Sequence, residues 1–228
     1  HESNILIGDE ENIFIEEGAE VYASIFNVED GPIYIGKDAK VLEGSMVRGG
    51  LALCESAVLK MGAKIYGPTT IGPHSKVGGE VGNSVILGFS NKGHDGYLGN
   101  SVLGEWCNLG ADTNTSNLKN NYSDVRAYSY LEEEMIETGL QFCGLIMGDH
   151  SKSSINTMFN TGTVVGVCAN VFDGGFPPKH VPSFSWGGKA GFEKFKLEKA
   201  FEVAERVMAR RKIDFTEEDK RILEKIAD

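Results

Sequence analysis

The chain has 228 residues, 41% of them hydrophobic and 24% charged, with a formal net charge of −11. That acidity argues against nucleic acid or an anionic membrane surface as a partner, because both are bound through basic patches. No apolar run approaches the ~20 residues that span a bilayer, and 29 glycines without a low-complexity run point to tight turns recurring at intervals.

The first residues, His1-Glu2-Ser3-Asn4, carry neither a charged n-region nor an apolar h-region, so no signal peptide is expected. His1, in place of a starting methionine, reads as a tag remnant or the cut end of a longer chain. Residues 1–34 hold only Ile15 and Val21 in any periodic register and read as a linker or an incomplete first coil.

From Ile35, steps of six give Val41, Val47, Leu53, Leu59, Ile65, Ile71 and Val77, all aliphatic. At ordinary composition, such a run would arise by chance about once in ten thousand tries. Small residues recur four places later at Ala39, Ser45, Ala57, Ala63, Thr69 and Ser75. A period of six matches neither an α-helix nor a free-standing alternating strand. It fits a short strand plus a corner, three of which close a triangular coil. Such coils stack at the ~4.8 Å strand spacing and bury their inner faces only against neighbouring coils. The register slips and resumes at Val85, Tyr97, Leu103 and Leu109, then again at Met147, Phe159, Val165 and Val171.

The expected fold class is therefore all-β, a parallel β-helix over 35–172. An excursion loop at 119–142 breaks the period with charged and aromatic residues. A Gly/Pro-rich connector at 173–190 ends the solenoid, and C-terminal helices occupy 191–228. In that last stretch Phe192, Leu197, Ala200, Phe201, Ala204, Val207 and Met208 share a helical face. Thr216 is a candidate N-cap for a final helix carrying Ile222, Leu223 and Ile226. These helices are expected to cap the solenoid end or cross to a neighbouring subunit. Cys54, Cys107, Cys143 and Cys168 are scattered without C-x-x-C spacing, which disfavours disulfides and a zinc site. They read as small buried apolar residues in a reducing, cytoplasmic protein.

The chemistry-bearing segment contains Lys92-Gly93-His94-Asp95-Gly96-Tyr97-Leu98-Gly99-Asn100, then Asn108-Leu109-Gly110-Ala111-Asp112-Thr113 and Thr115-Ser116-Asn117. It resembles the acetyltransferase domain of the bifunctional N-acetylglucosamine-1-phosphate uridyltransferase / glucosamine-1-phosphate acetyltransferase family, which carries K-x-G-H-x-x-Y-L-G-D, I-G-x-x-x-N-I-G-A-G-T and T-x-N. The later segment 148–188 is similar to a branch of predicted sugar-nucleotide enzymes in that group. The resemblance implies a left-handed coil, although parallel crossovers are otherwise right-handed. It also implies a homotrimer with sites between subunits, and acetyl-CoA as co-substrate. The acceptor would be a small-molecule amino-sugar 1-phosphate. An N-terminal nucleotidyltransferase domain is expected in cis, although only about 34 residues precede the solenoid.

N-acetylation requires a neutral amine to attack a thioester, and histidine suits proton removal near neutral pH. His94 is the candidate base. By matching position, Tyr97 would stabilise or orient the intermediate and Asn117 would contact the sugar, with Asn108 a further substrate contact. Lys119 and Arg126 on the excursion loop are candidate phosphate partners. The charge developing on the thioester oxygen needs preorganised donors, for which backbone N–H groups near Gly110 and Ala111 are candidates. Ala111, Gly148, Asp149 and Ala169 match positions lining the acetyl-CoA groove.

Bland readings stand beside these. Tyr97 lies on the aliphatic register and reads equally as a core or corner residue, and Asn108 as a ladder residue satisfying a turn. His74 and His180 read as surface residues and His150 as structural. Where the family has an arginine after Gly67-Pro68, this chain has Thr69-Thr70-Ile71, and Asp112 replaces a glycine. These departures leave the acceptor open. The competing class is a noncatalytic oligomerisation or regulatory β-helix serving a sugar-1-phosphate nucleotidyltransferase. A metal-dependent hydratase on this fold would need three imidazoles meeting one metal, and no pair of histidines here has suitable spacing.

Overall fold

The computed structural model describes residues 2–227. His1, read above as a tag remnant or cut end, lies outside them. Short strands stack into a parallel β-solenoid of about 10 turns with three faces. The first face begins with Ile5–Ile7 and Ile25–Asn27 and runs to Tyr97–Gly99. The second runs through nine strands from Ile13–Ile15 to His180–Val181. The third runs from Glu20–Val21 to Ser185–Gly188, and Gly191–Lys194 is added antiparallel at its end.

Pairing in register makes each inward position a column. On the second face Ile35, Leu53, Ile71, Ile86, Leu103, Met147, Val165 and Val181 stack directly on one another. All are buried. A second column is made of small residues at the entry to the third face: Ala39, Ala57, Ser75, Ser90, Cys107, Ser151 and Ala169, each 0% exposed. There the corner brings backbone too close to the axis for larger side chains. Seryl groups use the space to bond the next coil, as when Ser151 Oγ donates to Gly166 O at 2.6 Å and accepts from Ala169 N–H at 2.9 Å.

The structure corrects the register after Val77. Val85 and Tyr97 face outward, and Ile86 and Leu98 take the inward positions. Two shortened corners cause this. Only Gly78-Gly79-Glu80 separates Val77 from Val81, and Val81 is followed at five residues, not six, by Ile86. The boundaries also differ from those expected. Residues 5–21, within the stretch read above as a linker or incomplete first coil, supply one strand to each face, and their inward Ile15 is exposed, with no coil stacked below it among the described residues. Within the expected connector, His180–Val181 and Ser185–Gly188 continue the solenoid.

One corner is held in the left-handed backbone region by residues other than glycine. Asp38, Ser56, His74, Phe89, Trp106, His150, Cys168 and Phe184 have φ between 54° and 60°. That conformation is unfavourable for L-residues, and ring stacking down the corner offsets part of the cost. His74, Phe89, Trp106 and His150 form a ladder with successive ring centroids 4.9, 4.2 and 6.1 Å apart.

Helix α1 (Leu197–Ala209) and helix α2 (Glu217–Ala227) lie against this ladder, along the flank of their own solenoid. Ala200 of α1 and Leu223 of α2 pack on Cys168 and Phe184. Thr216 caps α2 reciprocally: its Oγ1 accepts from Asp219 N–H at 3.2 Å, and Asp219 Oδ2 accepts from Thr216 N–H at 2.8 Å. Phe192 belongs to the terminal strand rather than to α1. Burial beneath α2 pushes the His150 imidazole down to about 4, so it is neutral and structural at ordinary pH.

The excursion leaves the coil after Asn114–Thr115 and returns at Leu145–Met147. It carries an antiparallel hairpin, Arg126–Ser129 with Glu134–Glu137, folded back on the second face. Tyr128 stacks on His180 at 3.5 Å, so that histidine is covered rather than free on the surface. Among the described residues no helix is long and apolar enough to cross a membrane.

Candidate active site

His94 sits on the corner between the third and first faces. The turn below it is only Gly78-Gly79, whereas its own turn, Gly93-His94-Asp95-Gly96, has two more residues. The imidazole therefore stands beside open space. Gly96 is required for that turn: its φ is +118°, and a Cβ there would lie 2.3 Å from Thr113 O. His94 is exposed, and its ring makes no hydrogen bond among the described residues.

The next coil repeats the longer turn. Asp112 N–H donates to Asp95 O at 3.0 Å, which stacks Ala111 on His94, and Asn156 N–H donates to Ala111 O at 2.9 Å. These turns and the outer side of the third face enclose a cavity of about 550 Å³. His94, Asn108, Gly110 and Ala111 line it, together with Lys60, Lys76, Asn91 and Ile155. Gly110 N–H is already committed to Ser153 O at 3.0 Å. Ala111 N–H has no such partner among the described residues.

Lys92, quoted in the motif without a role, is buried beside His94. It occupies the inward aliphatic column between Val77 and the coil of Leu109, and is 2% exposed. Its ammonium donates to Gly78 O at 2.9 Å and to His94 O at 2.5 Å. The buried side chain thus ties the short turn to the turn carrying His94. Burial pulls its pKa down to about 8 against the smaller opposing pull of Asp95 and Asp112. A lysine at a core register position, two residues before the candidate base, is the signal that would have exposed it once the slip after Val77 was recognised.

Tyr97 and Asn117 are placed elsewhere. They lie on the outer side of the first face, around the corner from the cavity. Asn117 Nδ2 donates to Tyr97 Oη at 2.9 Å and to Asn100 Oδ1 at 2.7 Å. Gly99 makes room for the pair, since a Cβ there would fall 2.1 Å from Tyr97 Oη. On the same face Tyr66 Oη donates to Glu80 Oε1 at 2.6 Å, and burial and Glu80 together raise the Tyr66 phenol. One chain alone therefore does not bring His94 and the Tyr97–Asn117 pair into one pocket.

The remaining expected residues fall outside both groups. Lys119 bonds within its own loop to Asp124 O and Ser123 Oγ. Arg126 donates to Met135 O at 2.5 Å and pairs with Glu137 at 3.3 Å. Both cations make these bonds within the excursion itself. Gly148 and Asp149 lie at the aromatic corner, across the third face from Ala111, and Asp149 Oδ1 accepts from Glu105 N–H at 2.8 Å. Ala169 belongs to the small inward column and is wholly buried, so it cannot line an external groove. Among the described residues no group of three or more His, Cys, Asp or Glu could hold a metal ion.

No protein-family model matches the sequence. Over 155 residues, 65% of this chain and 38% of the relative, it is 30% identical to a bifunctional sugar-1-phosphate nucleotidylyltransferase/acetyltransferase of Sulfurisphaera tokodaii. Over 87 residues, 38% of this chain and 21% of the relative, it is 34% identical to the bifunctional protein GlmU of Methanocaldococcus jannaschii. The chain thus spans well under half the length of these relatives. Among solved structures, the polysialic-acid-specific acetyltransferase NeuO aligns with a TM-score of 0.46 and 15% identity, covering 85% of this chain and 87% of that one.

Proposed function

We propose, from the premise that this chain is a homologue of part of the bifunctional sugar-1-phosphate nucleotidylyltransferase/acetyltransferases, that it transfers acetyl from acetyl-CoA to the amine of an amino-sugar 1-phosphate. The observation carrying this reading is the cavity that unites His94 with the unpaired Ala111 N–H. The acceptor nitrogen attacks the thioester carbonyl carbon. A C–N bond forms, the C–S bond breaks, and coenzyme A leaves as its thiol. His94 takes the proton from the attacking amine and returns it to the leaving sulfur. Ala111 N–H donates to the carbonyl oxygen as its charge grows, where a fixed donor stabilises the transition state more than the ground state.

Tyr97 and Asn117 would orient the sugar. Because they face away from the His94 cavity of their own chain, we place them opposite the cavity of a neighbouring copy in a homotrimer. The relatives are bifunctional and longer, so an N-terminal nucleotidyltransferase domain in cis belongs to the proposal. So does a cytoplasmic setting, where acetyl-CoA is available and four free thiols persist.

Equilibrium binding of coenzyme A, measured by calorimetry, tests the site independently of turnover. Wild type is expected to bind, and Ala111→Trp, which fills the mouth of the cavity, is expected to weaken binding at least ten-fold. A wild-type protein that binds no coenzyme A would overturn this reading and favour a noncatalytic oligomerisation or regulatory β-helix.

A further inference from the structure

Four cations gather on one flank of a chain whose net charge is −11. Lys76 lies on the outer side of the third face, and Lys60 lies nearby in the same cavity as His94. Arg210 and Arg211 arrive from the end of α1. A second cavity of about 260 Å³ is lined by Lys76, Asn91, Arg210 and Arg211, with Phe89 and Trp106 among its other walls. It shares Lys76 and Asn91 with the His94 cavity, so the two lie side by side.

None of these four cations makes an ion pair with a carboxylate among the described residues. The Lys76 ammonium is instead held below its usual range, by partial burial first and then by Arg211, Lys60 and Arg210. Like charges crowded together without a counterion represent a cost that a bound anion removes. Arginines after the last turn of a helix can be explained by its dipole alone. Lys60 and Lys76 come from the solenoid, however, and have no such explanation. The adjoining Phe89 and Trp106 rings, stacked 4.2 Å apart, give the cavity an aromatic wall as well.

We infer that this second cavity is a phosphate-monoester subsite beside the His94 cavity, with Lys76, Arg210 and Arg211 as its ligands. The inference rests on the acyl-transfer reading for its two sources of phosphate. One is the 3′-phosphoadenosine end of the donor. The other is the 1-phosphate of the acceptor, for which Lys119 and Arg126 are the partners expected from sequence.

Binding of 3′-phosphoadenosine 5′-phosphate and of glucosamine 1-phosphate, each alone, is measured by calorimetry on the whole chain and on Lys76→Ala and Arg211→Ala. Circular dichroism of each variant checks that α1 persists. At least one probe should bind wild type, weaken with added salt, and lose ten-fold or more in affinity in both variants. Which probe responds identifies the source. If neither probe binds wild type, or both bind the folded variants as tightly, the subsite is wrong. Because no turnover is involved, a phosphate site that passes while acetyl transfer fails would sink the acyl-transfer reading alone.

Discussion

His94→Ala is expected to lower the rate of acetyl transfer by about two to four orders of magnitude, the usual contribution of a positioned general base. The prediction separates chemistry from folding unusually well. The imidazole is exposed and bonds to no other side chain among the described residues, so its removal leaves neither a buried cavity nor an orphaned partner. Thermal midpoint and coenzyme A affinity should therefore stay close to wild type while turnover collapses. Steady-state kinetics with thermal melts on the same preparations check this. A turnover within a few-fold of wild type would remove His94 from the mechanism.

Lys92→Met is expected to reduce turnover by about 100-fold, because misplacing a catalytic group by an ångström has that scale of effect. Methionine fills the aliphatic column but leaves Gly78 O and His94 O without the ammonium that joins them. The same variant has a pH signature that a packing defect would lack. In the folded protein the lysine pKa is depressed from 10.5 to about 8, so the unfolded chain binds more protons between those values. The stabilisation from this residue is thus fully present above pH 10.5 and lost as pH falls through 8. The difference amounts to about 3 kcal/mol at 1.36 kcal/mol per unit. Denaturant unfolding across pH 7.5–10.5 should show wild type gaining stability relative to Lys92→Met as pH rises. Parallel curves with unchanged turnover would show that Lys92 is only filler.

Much of the solenoid was legible because a buried column repeats strictly wherever corners keep their length. From Ile35 to Val77 the six-residue step holds, and every residue on it is buried. The step fails at Gly78-Gly79 and at Asn83-Ser84, where corners shorten. That shift is what turned Tyr97 and Val85 outward. The first coil was hidden for another reason: Ile5, Ile7 and Ile15 are exposed, so burial imposes less of a pattern on residues 5–21. In the site, the motif led to His94 and Ala111, which share a cavity. It gave no hint that Ala169 sits in the small inward column or that loop carbonyls and Glu137 already occupy Lys119 and Arg126. It was also silent on Lys76, Arg210 and Arg211, since residues more than a hundred positions apart meet only through the docking of α1 on the aromatic corner.

Acetyl transfer is tested most directly by free-thiol release when the purified chain is mixed with acetyl-CoA, with and without glucosamine 1-phosphate or other amino-sugar 1-phosphates. Acceptor-dependent release is expected, with one N-acetylated sugar formed per thiol. Release no faster than the acceptor-free blank across that panel, from folded protein, would contradict it.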